Sequence, residues 1–97
     1  HQVAQKLHAC SKPGSERAHD LIDLQVLAAD RLDMSETARV CRLLFRSRRT
    51  HPWPPEVIAI EGWADLYDDQ RRNLSVHRGV DDAVAWANAF IAEINTH

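Results

Sequence analysis

The chain has 97 residues, a length that accommodates one small domain with a single hydrophobic core. With 44% hydrophobic residues, 27% charged residues and a formal net charge of −2, it has no overall attraction for nucleic acid or for an anionic membrane surface. Binding to either would need a local patch, and the apolar runs are too short to span a bilayer.

The first predicted element is a short amphipathic helix over residues 2–10. Val3, Leu7 and Cys10 recur with the spacing of one helix face. Residues 12–15, Lys-Pro-Gly-Ser, end it because proline lacks a backbone donor and glycine frees the backbone.

A second helix is predicted to follow and to run to about Asp30. Ser15 is a suitable N-cap for it. Glu16 and the aspartates that follow would be favourable near its positive N-terminal end.

A charged cluster is predicted where these two helices meet. Asp20 and Asp23 are three residues apart and share a helix face, so both could meet Lys6 if the helices pack antiparallel. One interpretation is an interhelical salt bridge that sets the helix register. The other is a functional site, in which the lysine binds a phosphate and a carboxylate accepts a proton or binds a metal. Spacing alone favours the salt bridge.

The third predicted helix spans residues 36–49, with Ser35 as its N-cap. Its core-facing residues are predicted to be Val40, Cys41, Leu43 and Leu44.

A row of arginines follows one side of this third helix, at positions i, i+3, i+7 and i+10: Arg39, Arg42, Arg46 and Arg49. Such a row can be a solvated face, a contact to an RNA or DNA backbone, or a surface for an acidic protein. Arginine's planar fork suits phosphate oxygens, which makes nucleic acid a candidate partner.

The remainder of the chain is predicted to be a proline-rich connection followed by further helices. Residues 50–55 contain three prolines, and Trp53 is predicted to attach this connection to the bundle. Residues 57–60 are the one place where a short extended segment is plausible. Helical pattern resumes at about Gly62 and again at Val80. The predicted fold class is therefore all-α, a small bundle of four to five helices with a Pro-rich connection.

The cysteines and histidines show no metal-binding pattern. Cys10 and Cys41 each lie inside a helical pattern and are predicted to be reduced core thiols, with a disulfide or a metal pair as the alternative. The six histidines lack the spacing of a zinc site, so no metal ligand is predicted in this chain.

Two segments together resemble a known family. Residues 6–9 (Lys-Leu-His-Ala) and 17–24 (Arg-Ala-His-Asp-Leu-Ile-Asp-Leu) are similar to the K-L-x-A and R-x-x-D-L-x-D-L pair in the second half of AbiEii/AbiGii-type nucleotidyltransferase toxins. Residues 53–55, 63–67 and the closing helix around Asp82 are similar to the tail of that family.

The resemblance implies a two-part enzyme. An N-terminal half carries a Gly-Ser element and an acidic pair that hold Mg²⁺, and a helical C-terminal half completes the nucleotide site. By this resemblance, Lys6 and Lys12 would be substrate-binding, with Lys6 on the nucleotide phosphates. Asp20 and Asp23 would be catalytic, with Asp20 as a base for the transfer. Lys12 departs from the family, in which arginine is common at that position.

The expected domain is residues 1–97, one helical domain forming the C-terminal half of a longer nucleotidyltransferase. The chain opens at His1 without an initiator methionine, which we interpret as the start of a fragment. The fragment alone is expected to be inactive and to bind no Mg²⁺, which the other half would hold. A separated half would expose apolar surface and dimerise through it.

The expected partners of the intact protein are an NTP, an RNA or tRNA acceptor and a cognate antitoxin, in the bacterial cytoplasm and without a membrane. Such proteins act in toxin–antitoxin or phage-defence systems. The alternative is a stand-alone helical module for protein interaction or nucleic-acid binding, in which the Lys6–Asp20 salt bridge is structural.

Overall fold

A computed structural model of the protein describes residues 1–15 and 17–97. Glu16, which we expected near the positive end of the second helix, lies outside the described residues. The described residues form five helices: α1 (Gln2–Ser11), α2 (Ala18–Ala28), α3 (Met34–Arg48), α4 (Trp63–Gln70) and α5 (Val80–Asn95).

The all-α prediction is confirmed, since residues 1–15 and 17–97 contain helices and connections but no strand. Residues 57–60, where a short extended segment was plausible, pair with no other segment as a sheet. None of the described helices combines the length and the apolar character needed to cross a bilayer.

The two helix starts that we predicted from serine caps are wrong. Asp33 caps α3, and its Oδ1 accepts a hydrogen bond from Glu36 N at 3.0 Å, so Ser35 lies inside the helix. Ser15 Oγ accepts from Arg17 N at 3.1 Å, within the turn before α2. Aspartate and serine cap helices equally well in general, and here the backbone path places Asp33 at the N-terminal end of α3.

The core lies where the α1–α2 pair meets the other helices. α1 packs on α2 and α3, and α5 contacts α2, α3 and α4. The predicted face of α1 is confirmed, since Val3, Leu7 and Cys10 are all buried. Leu43 was predicted to face the core and is 48% exposed, because α1 and α5 cover the neighbouring side of α3. Cys41 is buried as predicted, and Val40 and Leu44 are half-buried.

Trp53 attaches the proline-rich connection to the bundle, as predicted. Its indole Nε1 donates to Asn95 Oδ1 at 2.9 Å, near the end of α5. Its ring meets the edge of Phe45 on α3, with centroids 5.3 Å apart. The peptide bond from Trp53 to Pro54 is cis.

Both cysteines are free and buried, which confirms the prediction of reduced core thiols. Burial raises the pKa of Cys10 to about 12 and that of Cys41 to about 11. Both thiols therefore stay protonated and unreactive at neutral pH in the folded protein.

Candidate functional site

The charged cluster predicted between the first two helices is present. Lys6 on α1 extends to α2, where its Nζ lies 3.1 Å from Asp20 Oδ1 and 2.9 Å from Asp23 Oδ2. A six-residue connection joins the two helices as a hairpin, which brings the middle of α1 opposite the first turns of α2. The meeting of these three side chains is therefore confirmed, and their catalytic and binding roles stay predictions.

Asp20 is fully buried and has basic side chains on several sides. Besides Lys6, His19 Nε2 lies 3.3 Å from Asp20 Oδ1, and Arg17 Nε lies 2.9 Å from Asp20 Oδ2. The Arg17 contact is an ion pair without good hydrogen-bond alignment, so Oδ2 keeps acceptor capacity among the described residues. A buried carboxylate is stable only with such partners, and the free lone pair can receive a proton.

Lys6 is held as an ammonium ion. Its hydrogen bond to Asp23 first, and then that to Asp20, raises its pKa above the ordinary value. The side chain is 29% exposed, so the charge is fixed in position yet open to a ligand. A fixed positive charge beside a cleft is suited to phosphate oxygens.

Lys6 opens onto a cleft of about 560 Å³ that we call the Lys6 cleft. Its other lining residues are Gln2, Gln5, Asp23, Val26, Leu27 and Leu74. The lining combines polar amides and the Lys6–Asp23 pair with aliphatic side chains, of which Val26 and Leu74 are exposed. This mixture fits a ligand with both a charged and an apolar part.

Lys12 does not join this cluster. It lies beyond the end of α1 in a second cleft of about 390 Å³, which we call the Arg48 cleft. The Arg48 cleft is lined by His8, Ala9, Lys12, Pro13, Gly14, Ser15, Arg17 and Arg48. The described linings of the two clefts share no residue, so any ligand of Lys12 would be distinct from a ligand held at Lys6.

The four arginines of α3 have different surroundings. Arg39 pairs with the Glu36 carboxylate, with Nε 2.9 Å from Oε2. Arg42 donates to the backbone oxygen of Asn95 at 3.2 Å, at the C-terminal end of α5. Arg46 is exposed beside Trp53, and Arg49 is the C-cap of α3. Their assignment to nucleic acid stays a prediction.

Three potential metal ligands lie together at the cluster, since atoms of His19, Asp20 and Asp23 are within 4.8 Å of one another. Mg²⁺ prefers an octahedral set of oxygen ligands. Here the carboxylate oxygens already contact the cations Lys6 and Arg17, and one ligand would be an imidazole. These residues therefore do not fit Mg²⁺.

Sequence reasoning gave no role to Arg17 and His19, which the structure places next to the predicted site. Arg17 and His19 contact Asp20, and the i,i+3 spacing of Arg17 and Asp20 was a usable signal. Arg48, 40 residues after His8, lines the same cleft as His8, and no local pattern could have indicated that.

A comparison with protein families matches nearly the whole chain. The model of the family described as nucleotidyl transferase AbiEii toxin, type IV TA system, matches residues 1–89, which include both helices of the charged cluster. No curated protein matches the chain. With nearly the whole chain matched, the protein belongs to the AbiEii family of nucleotidyl transferase toxins.

Proposed function

We propose that this domain supplies the lysine and the carboxylate of a nucleotidyl-transfer site. Lys6 binds the phosphates of an NTP, and Asp20 accepts the proton of the acceptor hydroxyl. The observation that carries the proposal is the buried Asp20, whose two oxygens contact Lys6 and Arg17 at 3.1 and 2.9 Å. Family membership supplies the reaction type.

The proposed reaction transfers a nucleotide from the NTP to a hydroxyl group of an RNA acceptor. The hydroxyl oxygen forms a bond to the α-phosphorus, and the bond from that phosphorus to the pyrophosphate oxygen breaks. The hydroxyl proton passes to the Asp20 carboxylate, and pyrophosphate leaves. The Lys6 ammonium offsets the negative charge that the phosphates carry in the transition state.

Asp23 has a positioning role in this proposal. Its Oδ2 accepts from Lys6 Nζ at 2.9 Å, which holds the ammonium at the mouth of the Lys6 cleft. Since Asp23 is 46% exposed while Asp20 is fully buried, Asp23 is the less isolated of the two from water. We therefore assign the proton transfer to Asp20.

Further parts of the proposal lie beyond these 97 residues. The donor set here does not suit Mg²⁺, so we place the magnesium ligands in another part of the intact enzyme, and this domain alone would be inactive. Bound there, magnesium would neutralise phosphate charge. A cognate antitoxin and a cytoplasmic location agree with the family's toxin–antitoxin description. Dimerisation of the separated domain would occur through surface that the other part normally covers.

The test is nucleotide transfer by the full-length protein with Lys6→Ala and Asp20→Asn. Each variant should lose activity by about 100-fold or more, because each removes a charge or a proton acceptor needed in the transition state. Asp23→Asn should lose less transfer activity than either of these two variants. Transfer is measured with a radiolabelled NTP, and unfolding curves are recorded alongside.

The control is Arg72→Gln, which removes an exposed cation outside both clefts and should leave transfer unchanged. The alternative, a purely structural salt bridge, has a different signature. If Lys6→Ala and Asp20→Asn lowered the unfolding free energy while the folded fraction kept full activity, the proposed roles would be wrong.

A further inference from the structure

The Arg48 cleft brings together basic side chains from three elements. Lys12 comes from the end of α1, Arg17 from the turn before α2 and Arg48 from the last turn of α3. All three are exposed, and no carboxylate is among its described lining residues. The cleft therefore attracts anions.

Two further features favour an anion at this cleft. Arg17 is the N-cap of α2 and has no side-chain cap, so the positive end of that helix lies beside the cleft. His8 also lines it, is only 6% exposed, and has no described hydrogen-bond partner for its Nε2. A phosphate oxygen can accept from the backbone N–H groups at that helix end, and from His8 Nε2 in the tautomer that carries the proton there.

The cleft is adjacent to the proposed reaction centre. Arg17 lines the Arg48 cleft and contacts Asp20 Oδ2, whereas Lys6 lines the other cleft and contacts Asp20 Oδ1. Asp20 therefore contacts one lining residue of each cleft, although it lines neither. Nucleotide transfer brings two substrates together, and Lys6 already accounts for the phosphates of the NTP.

We propose that the Arg48 cleft binds a backbone phosphate of the single-stranded RNA acceptor, close to the end that is extended. This rests on the proposed function for the identity of the acceptor, while the phosphate site rests on Lys12, Arg17 and Arg48 themselves. Guanidinium and ammonium groups hold the backbone phosphate without reading base sequence.

The experiment measures binding of a fluorescein-labelled single-stranded RNA of about ten nucleotides to the full-length protein, by anisotropy at several salt concentrations. The double variant Lys12→Gln/Arg48→Gln should bind about tenfold more weakly, and its log–log salt slope should be smaller by about 0.7, the value for one phosphate of a single strand. Arg72→Gln/Arg78→Gln, which removes two exposed arginines outside both clefts, is the charge-matched control and should bind as the wild type does.

A second titration, with each ribonucleoside triphosphate, identifies the ligand of each cleft. The double variant should keep wild-type NTP affinity, and Lys6→Ala should lose it. Unchanged RNA affinity, no RNA binding by the wild type, or a loss confined to NTP would each overturn the proposal. Because binding is measured without turnover, these results are separate from loss of the proposed function, which the transfer assay on Lys6→Ala and Asp20→Asn decides.

Discussion

Asp20 and Asp23 share a helix face and a lysine partner, yet their surroundings differ. Asp20 is fully buried and has contacts from Lys6, Arg17 and His19, while Asp23 is 46% exposed. Ion pairs between exposed groups contribute little stability, whereas a buried carboxylate must be matched by charge. The two carboxylates are equivalent in the sequence pattern and different in the folded chain.

His8 and His51 form a second titratable pair at the residue scale. Their ring centroids are 4.8 Å apart with the planes tilted by 41°, Phe45 packs against both rings, and the Ser11 hydroxyl lies 2.8 Å from His51 Nε2. Burial lowers the pKa of both histidines, and nearby Lys12 lowers each further, as do His51 and Arg48 for His8. Both rings are therefore neutral in the folded protein at pH 7.

This pair predicts a loss of stability in mild acid. The unfolded chain binds protons on these histidines near pH 6.5, whereas the folded chain binds them only at lower pH. The contribution of the two neutral histidines to the unfolding free energy is complete above pH 6.5. It is lost as the pH falls through their lowered pKa values in the folded protein. Urea unfolding between about pH 7.5 and about pH 5.5 should show this decrease.

The control for this prediction is His97→Gln, which removes an exposed histidine and should keep the full pH dependence. The unfolding free energy of His8→Gln/His51→Gln should change less with pH over the same range. If the unfolding free energy of that double variant fell with pH as steeply as that of the wild type, the acid sensitivity would belong to other groups.

At the scale of the element, α3 carries arginines with separate tasks. Arg42 donates to backbone oxygens of Asn95 and His97 at 3.2 and 3.4 Å, and so satisfies acceptors at the C-terminal end of α5 and just after it. Arg46, one turn further along α3, lines an exposed cleft of about 330 Å³ beside Trp53. Evenly spaced arginines of one row therefore differ in role: Arg42 contributes to helix packing, whereas Arg46 presents an exposed charge.

This difference in role predicts different effects when two neighbouring arginines are replaced. Arg42→Gln should lower the unfolding free energy by about 0.5–1 kcal/mol, because the end of α5 loses charged donors. Arg46→Gln should leave stability unchanged and weaken RNA binding with a smaller salt slope. Urea unfolding and RNA anisotropy on both variants separate the roles. Reduced stability in Arg46→Gln with unchanged RNA affinity would contradict the assignment.

At the scale of the whole molecule, a side chain of α5 holds the second part of the long connection between α3 and α4. Asn88 on α5 accepts from Val57 N at 2.8 Å and donates to Val57 O at 3.0 Å. Val57 is thereby held in the core, 1% exposed, without belonging to a helix or a sheet. A buried segment outside regular structure needs such partners for its backbone.

Asn88→Ala should therefore destabilise the protein by about 1–3 kcal/mol, because both polar groups of Val57 lose their partner. The measurement is urea unfolding. Glu93→Ala, an exposed site on the same helix, is the control and should change stability by less than about 0.5 kcal/mol. Equal unfolding free energies for the two variants would show that water replaces Asn88.

Local sequence pattern determined much of the fold of this protein and the position of its charged cluster. Apolar spacing predicted the helices and the buried face of α1, and the three-residue spacing of Asp20 and Asp23, across a short connection from Lys6, predicted the cluster. These succeed because helix periodicity and short connections are local properties. The sequence also carried the family resemblance that the family match confirmed.

Only the tertiary structure decided the rest. It capped α3 with Asp33, exposed Leu43 and placed Lys12 in a cleft apart from Lys6. It also brought Arg48 to Lys12, although 35 residues separate them in the chain. Which helix covers which face depends on packing between distant segments, and a pattern within one segment does not contain that information.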